Sequence, residues 1–179
     1  MLSADQLAVV LKDKFPESFL EVTEFRGIIT IHIRGEQVLD LLRTLKTDPR
    51  FAFNFLANIT AVDHLETGGH ARFAIVYHLL NQYEARRLVV RAWVDEEHPA
   101  LPSAVPLWQT ADWQEREVYD LFGIEFTGHP NLIRIMNPDI FQYHPLRKDY
   151  PLEGRGERYD FKVVKRNIGS KWGEGKSFE

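Results

Sequence analysis

The chain has 179 residues, 44% hydrophobic and 27% charged, which suits one globular domain with a core of ordinary size. Its net charge of −4 gives no basis for binding nucleic acid or an anionic membrane surface. The absence of cysteine excludes disulfides, thiolate catalysis and an iron–sulfur cluster held by the chain's own thiolates, and leaves zinc only His and carboxylate ligands.

Along the chain, Ser3 is placed to cap a first helix with Leu7, Val10 and Leu11 on one face. "FLEVTEF" (19–25) and "IITIHIR" (28–34) alternate as two strands, with Arg-Gly at 26–27 as the turn. "EQVLDLLRTLK" (36–46) is a short amphipathic helix stopped by "TDP". "FNFLANITAVDHLE", "RFAIVYHLL" and "ARRLVVRAWVD" follow as an antiparallel meander of three strands, with "TGGH" as a glycine loop before the second. The longest uncharged stretch, residues 51 to 62, is too short for a spanning helix of about 20 residues. The N-terminus lacks the basic and apolar regions of a signal peptide.

Residues 1–98 thus predict an α+β core, with helices packed on a mostly antiparallel sheet. After residue 98 the texture changes: seven of nine prolines lie between Pro99 and Pro151, which opposes long helices and central strands. One short helix interrupts this Pro-rich extended segment (99–152), capped by Asp112 and stopped at Gly123. Residues 153–179 carry five of eleven glycines and are expected to form an extended polar tail of the same single-domain chain.

The helix segment raises a chemical question. Glu115 and Glu117 are two apart and point about 160° away from each other on a helix, so they cannot act as a paired acid and base. The seven histidines are scattered, without the helical i, i+4 spacing of a metalloprotease, and no metal site is expected. His129 and His144 precede prolines and are expected to hydrogen-bond backbone or carboxylate. No nucleotide, flavin or hydrolase motif is present. Trp113, Val118, Leu121 and Phe122 are read as the apolar half of the helix, and Glu115, Arg116, Tyr119 and Asp120 as the other. Glu117 falls inside the apolar stripe, where it either snorkels to the edge or pairs with Arg134 or Arg147. "HPLRKDYPL" (144–152), bracketed by Pro145 and Pro151, reads as an extended strap lying on a neighbouring surface, as does the apolar comb Leu132, Ile133, Ile135 and Met136 before it.

"DWQEREVYDLFGIEFTGHPNLIRI" (112–135) followed by "HPLRKDYPL", with "RFAIVYHLL" upstream, resembles the signature of the C subunit of the proton-pumping NADH–quinone oxidoreductase, respiratory complex I. The resemblance spans roughly residues 50–152. It implies a non-catalytic scaffold in the quinone module of the peripheral arm, on the cytoplasmic side of the membrane. There it would pack against the large subunit that shapes the quinone cavity and near the small iron–sulfur subunits, and attach to the membrane only through the complex. FMN, iron–sulfur clusters and quinone belong to that complex; none is expected in this chain, nor any catalytic residue, although the whole acts as a translocase. The motif carries onto Glu115, Arg116, Glu117, Tyr119, Asp120, Phe122, Gly123, Gly128, His129, Pro130, Arg134, His144, Pro145, Leu146, Arg147, Lys148, Asp149 and Tyr150, as shape and interface residues. One departure is "IMNPDIFQYHP" before the strap, where members commonly have an acidic, Trp-containing turn with a glycine. Two alternatives stand beside this reading: the equivalent subunit of a ferredoxin-dependent or hydrogenase-type relative, and an independent enzyme using Glu117 and His129 as acid and base.

Overall fold

The structure is a computed structural model that describes residues 4–156. The Ser3 cap, and the tail from residue 157 on, lie outside the described residues. The elements run α1 (Ala4–Lys14), β1 (Phe19–Phe25), β2 (Ile28–Arg34), α2 (Val38–Thr47), β3 (Phe55–Asp63), β4 (Phe73–Asn81), β5 (Arg86–Val94), β6 (Ala100–Pro102), α3 (Ala111–Phe122) and β7 (Glu125–Thr127). The fold is α+β, as expected.

The main sheet has strand order β1-β2-β5-β4-β3. All its pairings are antiparallel except β2 with β5, which is parallel. The β1–β2 turn needs positive φ at both central residues to match strand twist, and Arg26 (51°) and Gly27 (77°) supply it. Alternation then sends one side of every strand inward. Ile31, Val90, Tyr77 and Ile59 form one such cross-strand row, and Ile33, Ala92, Ile75 and Ala61 the next; all are buried. Leu7, Leu11 and Phe15 of α1, Val38, Leu41, Leu42 and Leu45 of α2, and Val118 and Phe122 of α3 complete the same core. Burying each aliphatic side chain contributes roughly 1.5–3 kcal/mol relative to exposure.

Three local expectations need correction. The proline-rich segment does contain strands: β6 and β7 pair in parallel, Leu101 beside Phe126. They are three residues each, and Pro102 closes the first, where its missing N–H costs little. α3 starts at Ala111 rather than after Asp112, with Thr110 as an N-cap that makes no side-chain hydrogen bond. The helix also faces differently. Its buried stripe is Ala111, Glu115, Val118 and Phe122, with Asp120 buried beside it; this is the i, i+4, i+7, i+11 series of a helix. Trp113 is 61% exposed. Glu117 is exposed and makes no buried pair.

Candidate functional site

The C-terminal end of α3 leaves its last carbonyls without partners inside the helix. Residues 134–147 supply them. Arg134 Nη1 and His144 Nδ1 reach Asp120 O at 3.3 and 2.9 Å. Leu146 N donates to Leu121 O at 3.0 Å. Arg147 Nε donates to Phe122 O at 2.5 Å and its Nη2 to Gly123 O at 3.4 Å. Two guanidinium cations thus sit where the helix dipole is negative. Gly123 makes the approach possible. Its φ of +71° suits glycine, and a Cβ there would lie 2.5 Å from the His144 ring and 2.8 Å from Arg147 Nη2.

Asp120, fully buried, is the hub of this strap. Its Oδ1 accepts from Arg134 Nη1 at 2.6 Å and Asn137 Nδ2 at 3.0 Å. Its Oδ2 accepts from the successive backbone N–H groups of Ile135, Met136 and Asn137 at 3.0, 2.7 and 2.8 Å. Burial pushes this carboxyl up, but the donors from Asn137, Met136 and Ile135 outweigh it and hold it well below the usual carboxylate range. Arg116 closes the front of the strap, donating to the carbonyls of Ile133 and Arg134 at 3.1 and 3.3 Å while lying over Trp113.

A second anchor ties the strap to the sheet. Arg72, 6% exposed, forks onto the fully buried carboxylate of Asp63 at 3.1 and 3.0 Å. It also pairs with Asp149 at 3.0 Å and with Glu96. Asp63 Oδ2 accepts the backbone N–H of Lys148 at 2.9 Å. Arg72 and Arg147 both lie over the Phe73 ring, 4.8 and 5.2 Å from its centroid. Tyr150 packs against Phe141 and Tyr143.

Glu115 forms a separate buried joint between α3 and the segment after β6. Its carboxylate accepts from Ser103 Oγ and Ala104 N, both at 2.6 Å. Burial pushes its pKa from 4.5 up to about 7, against the lowering effect of those two donors and with Asp112 adding to the rise. A carboxyl raised in the fold favours folding while protonated. Its contribution is full below its unfolded value near 4.5 and is lost as pH rises through about 7. Glu115→Gln, which keeps shape but not charge, should therefore gain stability relative to the parent between pH 5 and pH 8. Thermal melts at both pH values check this; parallel pH profiles would contradict it.

The sequence-selected residues are mostly brought together here, in changed roles. Arg134 and Arg147 bind Asp120 and the helix carbonyls, not Glu117. His129 receives Asn131 N on Nδ1 at 3.0 Å, so its Nε2 carries the proton and donates to Asp112 O at 3.1 Å. Both ring nitrogens are thus committed to backbone, as expected for a structural histidine. With Glu117 exposed to solvent, the two do not form an acid–base pair. Tyr119 meets His144 edge-on at 6.4 Å; Phe122 is core; Gly128 adopts a φ of +80° just before His129 and Pro130. Pro145 is half-buried within the strap, and Lys148 contributes its backbone while its side chain is exposed. Asp63, Arg72, Ser103 and Asn137 were not legible as partners. Lys148 and Asp63 are 85 positions apart, and nothing local in the chain links them.

Comparison with known proteins shows the family. Residues 31–156 match the family "Respiratory-chain NADH dehydrogenase, 30 Kd subunit". The C subunit of NADH-quinone oxidoreductase from Citrifermentans bemidjiense is 45% identical over 154 residues, covering 86% of this chain and 93% of that protein. Its counterpart from a Roseiflexus species is 42% identical over 151 residues, covering 84% and 86%. Among solved structures, a trypsin-resistant fragment of Nqo5 is 35% identical with a TM-score of 0.59, covering 70% of this chain and 98% of that one. A chain of the membrane-bound sulfane sulfur reductase, an archaeal respiratory membrane complex, shares the fold at a TM-score of 0.67 and 22% identity, covering 98% of each. The chain belongs to the family of the respiratory-chain NADH dehydrogenase 30 kDa subunit, the C subunit of NADH-quinone oxidoreductase.

Proposed function

We propose that this chain is a non-catalytic scaffold of the quinone module in the peripheral arm of a proton-translocating NADH–quinone oxidoreductase. In that role it supports electron transfer from NADH through FMN and iron–sulfur clusters to quinone without holding any of these groups. The observation that carries the proposal is the strap. Its polar atoms are spent on α3 and on Asp63 and Arg72, while Ile133, Met136, Ile140 and Leu146 remain exposed. Apolar side chains held outward on a pinned backbone suit docking onto another subunit. The large quinone-cavity subunit and the small iron–sulfur subunits are the partners in this reading, on the cytoplasmic side of the membrane. No helix among the described residues is long and apolar enough to cross it. Residues 1–98 supply the main sheet and the first two helices, and 99–152, which complete the core through α3, serve as the docking segment.

Affinity capture of a tagged chain from gently solubilised native membranes tests this. NADH–quinone reductase activity in a large eluted complex, absent from the isolated chain, is the expected result. A complex that takes electrons only from ferredoxin or evolves hydrogen would move the scaffold to a relative of the complex; a lone chain would overturn it. Because Glu117 is exposed, Glu117→Ala should change the chain's own stability by no more than about 0.5 kcal/mol. Its effect should fall on the amount of assembled complex, measured by native gels, and not on turnover per assembled complex.

A further inference from the structure

Histidines scattered in the sequence meet beside Trp93. Glu21 and His32 are cross-strand partners on β1 and β2, so two paired strands set their spacing. The β3–β4 loop brings in His70. His70 Nε2 lies 3.1 Å from Glu21 Oε1, and His32 Nδ1 lies 3.9 Å from the same oxygen. All three ligand atoms fall within 4.8 Å of one another.

The surroundings hold these groups in place. Trp93 lies beside His32, the two ring planes 18° apart with centroids at 6.0 Å, and meets His70 edge-on at 5.3 Å. The loop reaches Trp93 through Gly69, where a Cβ would lie 2.6 Å from the indole ring. The indole N–H, a donor only, points at His32 Nδ1 at 3.2 Å. Nδ1 therefore carries the lone pair on the side of Glu21 and His70. His32 Nε2 carries the proton and faces Thr23 Oγ1 at 3.2 Å. A hydrogen bond from the far ring nitrogen is the arrangement that orients metal-binding histidines. Burial, the largest influence, keeps the His32 pKa lowered, with Arg91 and His70 acting the same way against Glu21. A cavity of about 580 Å³ lined by His70 and Trp93, with Glu36, Asp95 and Glu97 outnumbering Arg34 on its walls, gives a cation an approach of net negative charge.

We propose that His32 Nδ1, His70 Nε2 and Glu21 Oε1 form a binding site for a divalent transition metal of the zinc class. Two imidazoles and a carboxylate favour zinc, cobalt or copper over magnesium and calcium. With metal–ligand bonds of about 2.0–2.2 Å, the His70–Glu21 separation is already suitable, and His32 has to draw closer. The entering metal takes the Nδ1 lone pair and displaces the Trp93 indole N–H from it. The occupied site fastens the β1–β2 hairpin to the β3–β4 loop and leaves a coordination position for water.

The test uses the full chain, freed of metal by a chelator and titrated with cobalt(II), with zinc as competitor. One saturable equivalent with a visible d–d band, displaced by zinc, is expected, with a change in tryptophan fluorescence that Trp93→Phe removes. His70→Ala and Glu21→Gln, both at solvent-accessible positions, should each weaken binding at least about 10-fold. Thr23→Val, which removes only the outer hydrogen-bond partner, should weaken it about 10- to 100-fold. Absence of saturable binding, or affinity unchanged in both ligand variants, overturns the proposal.

Discussion

Asp120→Ala should lower the chain's folding stability by about 3–5 kcal/mol, the cost of removing one partner from a buried, paired charge. Arg134 would keep its cation close to buried, and three consecutive backbone N–H groups would lose their acceptor together. Asp120→Asn should rescue little, because its amide N–H would face donors. The pH dependence has a fixed sign. A carboxyl held below its unfolded value contributes above that value, 3.8 here, and loses the contribution as pH falls through its folded value. The gap between parent and variant should therefore be full near neutral pH and narrow in acid. Urea denaturation across that range measures it; a loss under about 1 kcal/mol at neutral pH would show that the hub is dispensable.

Arg72→Met should cost a similar amount, about 3–5 kcal/mol, but by a different route. It leaves the Asp63 carboxylate fully buried with, among the described residues, only the N–H groups of Leu65 and Lys148 as donors. It also frees Asp149 from the sheet. Limited proteolysis should then cut within residues 143–152 before the strands are attacked. Pairing the change with Asp63→Leu should recover part of the loss, since replacing both members of a buried pair by apolar groups is often neutral. A double variant no better than Arg72→Met alone would mean that Arg72 acts mainly through Asp149 and Glu96.

The strands show where the sequence was legible. Alternation through Leu20 and Val22 and through Ile29, Ile31 and Ile33 placed β1 and β2, because a strand with one face toward the core writes its two faces into the chain. The meander was legible for another reason: β4 and β5 are buried along nearly their whole length and read as runs of β-branched and aromatic residues bounded by turn residues. β6 and β7 were not: three residues hold too little pattern, and a terminal proline reads as a break. On α3, periodicity misled because it counts carboxylates as polar. The true buried stripe contains Glu115, whose partners Ser103 and Ala104 come from outside the helix. Choosing Trp113 and Leu121 as core rotated the assumed face and put Glu117 inside. The strap was recognisable as docked but not as it is shaped: the expected extended course is replaced by successive turns, with Arg147 N donating to His144 O at 3.2 Å and Tyr150 N to Arg147 O at 3.1 Å. That it docks first on its own helix end was not legible, because those acceptors are main-chain carbonyls, which every residue carries.

The parallel seam between β2 and β5 has a consequence for how the chain is made. β2 ends at Arg34 and β5 starts at Arg86. At a ribosomal rate of about 5–20 residues per second, the first hairpin waits several seconds for its central neighbour. During that interval the open edge of β2, with Ile29, Ile31 and Ile33 on one side, is a template for strands from other nascent chains. The meander closes on itself by local contacts and can form early, whereas the seam must wait for long-range closure. Synthesis of this chain therefore has a vulnerable window, opening when β2 emerges and ending when residues 86–94 arrive to seal it.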